Sequence, residues 1–193
     1  MDNLTKIGLF GGTFDPVHIA HLAIAELAAE QLELTKVLFI PAWVAPHKTD
    51  RVDAAKRSVA RIKMLELAIS GNEKFEVCDI EINRKGASYT IDTLEQLRQT
   101  ISGEIFLLIG SDNYLTFNSW REPEKIHKLA TVAVYNRPGS RIDKVVPPFI
   151  MLEGPQMDIT STWIRERMRA GKRVRYFLPE EVEKYIIENK IYY

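Results

Sequence analysis

Five short apolar runs, at residues 6–10, 36–40, 75–82, 105–109 and 131–135, punctuate this chain, and helical patterns separate most of them. Strands that alternate with helices belong to parallel βαβ units, so the expected fold is α/β: a doubly wound parallel sheet with helices on both faces. A long helix is expected over residues 52–70, where Val59, Ile62, Leu65 and Ile69 keep helical spacing up to Gly71-Asn72. Further helices are expected over 22–32, 90–100 and 163–170, with a short strand over 149–152 after the stiff Val146-Pro147-Pro148 connector. A length of 193 residues suits one sizeable core, so residues 1–193 read as a single domain with 161–193 as its small C-terminal helical appendage.

Between the first strand and the first helix stands Gly11-Gly12-Thr13-Phe14-Asp15-Pro16-Val17-His18-Ile19-Ala20-His21. In an open α/β sheet such a strand-to-helix turn lies at the carboxyl ends of the strands, where ligands collect and glycines let backbone N–H groups approach closely. Asp15-Pro16 suits a cap and first-turn pair, and a helix starting there or later carries His18 and His21, three apart, on one face near its positive end. Two imidazoles in that place suit a polyphosphate, although alone they could also be a metal pair or satisfied polar residues. Some familiar sites are excluded by spelling: the P-loop G-x-x-x-x-G-K-[ST] and the zinc helix H-E-x-x-H are absent, and Gly8-Leu9-Phe10-Gly11 breaks the dinucleotide fingerprint.

A second element is Asp158-Ile159-Thr160-Ser161-Thr162-Trp163-Ile164-Arg165. Helix starts prefer acidic residues, but here the first turn offers hydroxyls and then arginine, donors that match a phosphate as well as they match an ordinary cap with a solvated basic face. Lys48, in Pro41-Ala42-Trp43-Val44-Ala45-Pro46-His47-Lys48 after the second strand, is a candidate phosphate ligand. Gly110-Ser111-Asp112 follows the fourth strand, where Asp112 could serve a ribose or a metal and Trp120 could stack on a ring. Ser88-Tyr89-Thr90-Ile91-Asp92-Thr93 opens a helix whose N–H groups could hold a carboxylate.

Lys plus Arg total 26 and Asp plus Glu total 26, so a zero formal charge gives no global field for nucleic acid or an anionic membrane, and any phosphate affinity must be local. The single cysteine, Cys78, reads as an inert strand thiol suited to a reducing compartment. With no signal-like start and no apolar run near 18 residues, a cytoplasmic location is expected, with neither membrane nor nucleic acid as partner. Whether the chain is a monomer or a homo-oligomer is left open.

Together, GGTFDPVHIAH resembles the G-x-F-D-P-x-H-x-G-H signature of the nucleotidyltransferase superfamily, and residues 159–165 resemble its I-S-S-T-x-I-R phosphate motif. Matches at 40–48, 88–94, 110–120, Arg137-Pro138-Gly139 and Tyr176-Phe177-Leu178-Pro179 extend the resemblance, over nearly the whole chain, to the bacterial nicotinate-nucleotide adenylyltransferases. Ala20 stands where that family usually has glycine, and Thr160 where it has serine. Pantetheine-phosphate adenylyltransferases and cytidylyltransferases share the first motif, and a non-catalytic nucleotide sensor is a further alternative.

The resemblance implies a Rossmann-like fold and transfer of AMP from ATP to nicotinate mononucleotide, giving deamido-NAD and pyrophosphate by in-line attack with no covalent intermediate. It implies a catalytic set of His18, His21, Lys48 and Arg165. Gly11, Gly12, Thr13, Phe14, Thr160, Ser161 and Thr162 would join the two histidines and Arg165 around ATP, with Gly110 and Asp112 bordering its sugar. Lys48, Tyr89, Thr90, Trp120 and Arg137 would meet the acceptor. Magnesium is expected to ride on the nucleotide, since no carboxylate cluster offers a cage.

Overall fold

The computed structural model describes residues 5–44 and 57–193. Six strands form one sheet: β1 (Lys6–Gly12), β2 (Lys36–Pro41), β3 (Phe75–Val77), β4 (Glu104–Gly110), β5 (Thr131–Tyr135) and β6 (Ile150–Leu152). Their order is β3-β2-β1-β4-β5-β6, and every pairing is parallel. The order reverses between β1 and β4, which makes the carboxyl ends of those two strands the natural ligand crevice.

Both faces of the sheet are covered, which is why its central strands read as unbroken apolar runs. Phe10, Val37, Phe39, Phe106, Leu108 and Ala133 face one core. That core is closed by α1 (Ile19–Gln31), α2 (Ser58–Ile69), α7 (Ser161–Arg169) and α8 (Glu180–Glu188), through residues such as Ala25, Leu65, Ile164 and Val182. Ile7, Leu9, Leu38, Ile40, Ile105, Leu107, Val132 and Val134 face the other. There α4 (Thr90–Arg98) contributes Ile91, Leu94 and Leu97, and α6 (Pro123–Leu129) contributes Ile126.

The expected strand over 75–82 is corrected: β3 ends at Val77, and Ile80–Arg84 form the short helix α3. The Cys78 N–H still donates to Phe39, but then the chain turns, and helical backbone aims the Glu81 carboxylate at the Thr93 hydroxyl, 2.6 Å away. That long-range bond overrides an apolar alternation which locally spells strand. The helix after β1 begins at Ile19 with His18 as its cap, so Asp15-Pro16 belongs to the preceding loop and not to a first turn. Of the helix expected over 52–70, the described part is Ser58–Ile69, and residues 52–56 lie outside the described residues. Among the described residues no helix is long and apolar enough to cross a membrane.

Ile164 is fully buried in the α1/α2 core, which ties the phosphate-motif helix α7 to the sheet. Ile164→Ala should therefore cost about 2–5 kcal/mol and lower Tm by roughly 5–15 °C. A thermal melt shifted by less than a degree or two would show that α7 docks independently of this side chain.

Candidate active site

The loop from Thr13 to His18 crosses the mouth of the sheet, and the rest of the molecule fastens its backbone. Arg61, 1 % exposed, donates to the Thr13 carbonyl at 3.0 Å and to the Ala42 carbonyl at 2.6 Å. Arg165 donates to the Asp15 carbonyl at 2.7 Å, and the Ser161 hydroxyl to the Pro16 carbonyl at 2.9 Å. The Phe14 ring packs inward beneath Gly12, so a Cβ at Gly12 would lie 2.9 Å from Phe14 Cζ. Phe14 is 1 % exposed and in the left-handed region at φ 50°, so only its backbone remains available to a ligand.

His18 caps α1 and His21 sits three residues on, with their rings stacked at 3.6 Å between centroids. The His18 N–H donates to His21 Nδ1 at 3.2 Å. Burial first, and then the Arg137 charge, hold the His18 imidazole down at about 3. His21 is likewise held well below its ordinary range, by burial, then by His18 and Arg137. Both rings are thus neutral near pH 7. Because His21 Nδ1 accepts a hydrogen bond, a neutral His21 carries its proton on Nε2 and presents an N–H donor. Among the described residues neither ring nitrogen of buried His18 has a hydrogen-bond partner, which leaves both able to meet a ligand.

These rings, with Ala20, Ile24, Tyr135, Arg137 and Ile159, line a small hollow of about 20 Å³. Ala20 is buried, its methyl group in the wall of that hollow. Arg137 reaches Asp112 at 3.0 Å, and its backbone N–H donates to Ser111 Oγ at 2.9 Å. Gly110 lies between these groups; a Cβ there would meet Asp112 Oδ1 at 2.4 Å and Arg137 Cδ at 2.5 Å, so any larger residue would displace that ion pair. Arg137 therefore stands with the histidines and Asp112, apart from the Trp120 cavity expected for the acceptor.

That cavity, of about 260 Å³, opens on the other side of the β1 turn. Gly11, Gly12, Thr13, Tyr89, Thr90 and Trp120 line it, so the structure brings together these expected residues from three separate segments. Helix α4 starts at Thr90, and the N–H groups of its first turn face outward without intrahelical acceptors. The Tyr89 N–H is already used by the Ala87 carbonyl at 3.1 Å, which leaves the helix itself as the donor surface.

In the second motif the hydroxyls act mainly on the protein. Thr160 caps α7 by accepting from the Trp163 N–H at 3.2 Å, and Thr162 accepts from Arg165 at 3.1 Å. Lys48 lies outside the described residues.

Sequence reasoning passed over Glu81 and Arg121, both of which line the large cavity. Arg121 lies 5.1 Å above the Tyr89 ring and 3.4 Å from Asp92. Glu81 is buried, which pushes its carboxyl up, while hydrogen bonds from Thr93 and Ser88 pull it back. Arg121 adjoins Trp120 in sequence and was legible there; Glu81 was hidden inside the misread strand. Among the described residues no group of three or more His, Cys, Asp or Glu side chains could hold a metal ion.

A parallel sheet of this order with paired histidines at its switch-point turn defines a nucleotidyltransferase, and the chain belongs to the cytidylyltransferase-like family, whose model matches residues 9–167. It is 39% identical over 188 residues to the Thermus thermophilus protein named "Probable nicotinate-nucleotide adenylyltransferase", covering 97% of this chain and 99% of the relative. A protein of the same name from Shouchella clausii is 41% identical over 194 residues, covering 98% of this chain and 97% of the relative. Within the larger family, the chain thus belongs to the nicotinate-nucleotide adenylyltransferases. The fold agrees: the Plasmodium falciparum nicotinic acid mononucleotide adenylyltransferase complexed with APC superposes with a TM-score of 0.79 at 20% identity, covering 97% of each chain. The same enzyme complexed with NaAD gives 0.79 at 19% identity.

The depressed histidines make a pH prediction. The unfolded chain takes up a proton at His18 near pH 6.5, which the folded protein refuses until about 3, so stability is full above 6.5 and falls as pH drops through that window. Relative to His18→Asn, the parent should lose up to about 1.4 kcal/mol more for each pH unit below that midpoint. Urea-unfolding free energies measured for the two proteins from pH 7.5 to 4.5 check this, and curves that run parallel through the whole range would rule the neutral-histidine assignment out.

Proposed function

We propose that this chain transfers AMP from ATP to nicotinate mononucleotide, and that residues 1–193 work as one unit in doing so. The observation that carries the reading is the junction at the β1 turn: two neutral, donor-bearing histidines on one side and an apolar cavity with a helix N-terminus on the other. In the reaction, an oxygen of the mononucleotide phosphate bonds to the ATP α-phosphorus as the bond to the β-phosphate oxygen breaks, and pyrophosphate leaves with its electron pair. The nucleophile is already an anion, so no histidine need remove a proton. The chain's task is positioning and stabilising charge on the transferring group.

His21 Nε2–H and His18 donate to the reacting phosphates. Arg165 keeps the loop in place with one nitrogen and meets Thr162 with a second, and the N–H groups left over serve the β and γ phosphates beside the α7 N-terminus at Thr160, Ser161 and Thr162. Gly110 and Asp112 border the nucleotide sugar. Lys48 adds charge neutralisation. Magnesium carried by the triphosphate would supply further charge neutralisation beside these nitrogen donors.

For the acceptor, the α4 N-terminus at Tyr89 and Thr90 meets the nicotinate carboxylate, and Trp120 stacks on the ring. N–H donors favour a carboxylate over a carboxamide, and the Arg121 guanidinium in the same wall adds to that preference.

Incubation with ATP, magnesium and either nicotinate or nicotinamide mononucleotide, with pyrophosphate release followed and products identified by mass, tests this reading. Deamido-NAD should form faster than NAD; equal or reversed rates remove the acceptor assignment. His21→Ala should lower kcat by roughly 10²–10³, the scale for one lost transition-state donor, with ATP binding by calorimetry little changed. An unchanged kcat takes His21 out of the chemistry.

A further inference from the structure

We propose that Tyr192 is a positioning residue for catalysis, holding the loop that bears His18 through a hydrogen bond to Asp15. The contact joins residues 177 positions apart: the Tyr192 hydroxyl donates to Asp15 Oδ1 at 2.5 Å, and both side chains are buried. Arg57 Nε stands 3.3 Å from the other oxygen, Oδ2. A buried carboxylate is tolerated only when its oxygens are supplied with donors, so loss of the phenol leaves Oδ1 short of one.

The position of Asp15 gives the bond its reach. The Phe14 ring, one residue before, packs on the His21 ring at 5.0 Å between centroids, and His18 follows three residues later. An error at Asp15 is therefore passed to both imidazoles. Two non-glycine residues in left-handed backbone flank the contact, Phe14 at φ 50° and Tyr192 at φ 80°. Such conformations persist where the surroundings over-determine them, and they concentrate where geometry serves function. Burial and the adjacent Asp15 carboxylate push the phenol up, so it remains a donor at any working pH. Helix α8, just before Tyr192, has its own anchors in Val182 and Ile186, so folding of this part does not depend on the hydroxyl.

The inference rests on the reading that the histidine loop serves the reacting phosphates. The test is steady-state kinetics of the full chain with ATP, magnesium and nicotinate mononucleotide. Tyr192→Phe, which removes one oxygen, should lower kcat about tenfold with KM for ATP changed by about twofold or less, since sub-ångström misplacement acts mainly on the transition state. Tyr192→Phe combined with Asp15→Asn should be about as slow as the slower single variant, because both cut the same link. A phenol that served stability alone would lower Tm and leave kcat of the folded protein unchanged. The proposal is overturned by a kcat within about twofold of the parent at a temperature where both are folded, or by losses that multiply in the double variant. Asp15→Asn carries the same kcat criterion should Tyr192→Phe fail to fold. A parent without turnover would overturn the reading of the loop and the proposal with it, whereas an active parent matched by Tyr192→Phe overturns the proposal alone.

Discussion

The site depends on how three carbonyls of one loop are satisfied. Thr13, Asp15 and Pro16 turn their carbonyl oxygens to Arg61, Arg165 and Ser161. The first donor comes from α2 and the other two from α7, elements separated by about half the chain. A loop of this kind, with Phe14 in left-handed backbone, has no secondary-structure partner of its own to fix it. Side chains from the surrounding helices do so instead, two of them arginines, and bonds from charged donors are among the stronger ones a protein makes. The conformation of the histidine loop is thus set by whether α2 and α7 are docked, so the packing of Leu65 and Ile164 in one core is part of the geometry of the site.

That rigidity allows an unusual electrostatic arrangement. An anion site could be built from protonated imidazoles, yet here burial and Arg137 keep both rings neutral in a chain of zero net charge. Neutral rings still donate hydrogen bonds, and two stacked imidazoles 3.6 Å apart would repel if both were charged. Held neutral by burial, the pair stacks without self-repulsion.

Much of this was legible in the sequence because local and global signals agree. The runs at 6–10, 36–40, 105–109 and 131–135 are strands, since two-sided burial leaves continuous apolar spelling. Gly11, Gly12, Thr13, Tyr89, Thr90 and Trp120 meet at one cavity because the first three end β1 or follow it, Tyr89 and Thr90 open α4, and Trp120 comes after the helical turns that follow β4. What sequence could not supply was the pairing of polar groups across the fold. Glu81 was lost within an alternating apolar run whose helical fate is decided by Thr93, and the duties of Ser161 and Arg165 toward the loop depend on tertiary contact. Residue type suggested donors for an anion; geometry shows that several of those donors are already engaged.

The two hollows are built from elements that the chain topology keeps apart. The one beside His18 and His21 draws on the first strand-to-helix turn, which α7 fastens into the α1/α2 core. The one beside Trp120 draws on the start of α4 and on the Trp120-Arg121 segment, which pack on the opposite face of the sheet. Gly11, Gly12 and Thr13, at the end of β1 and the start of the histidine loop, line the larger of the two. Changes to the α4 entry or to the Trp120 segment therefore act through a different core from the carbonyl bonds that hold the loop bearing His18 and His21, because the two sets of loops are anchored on opposite faces of one sheet.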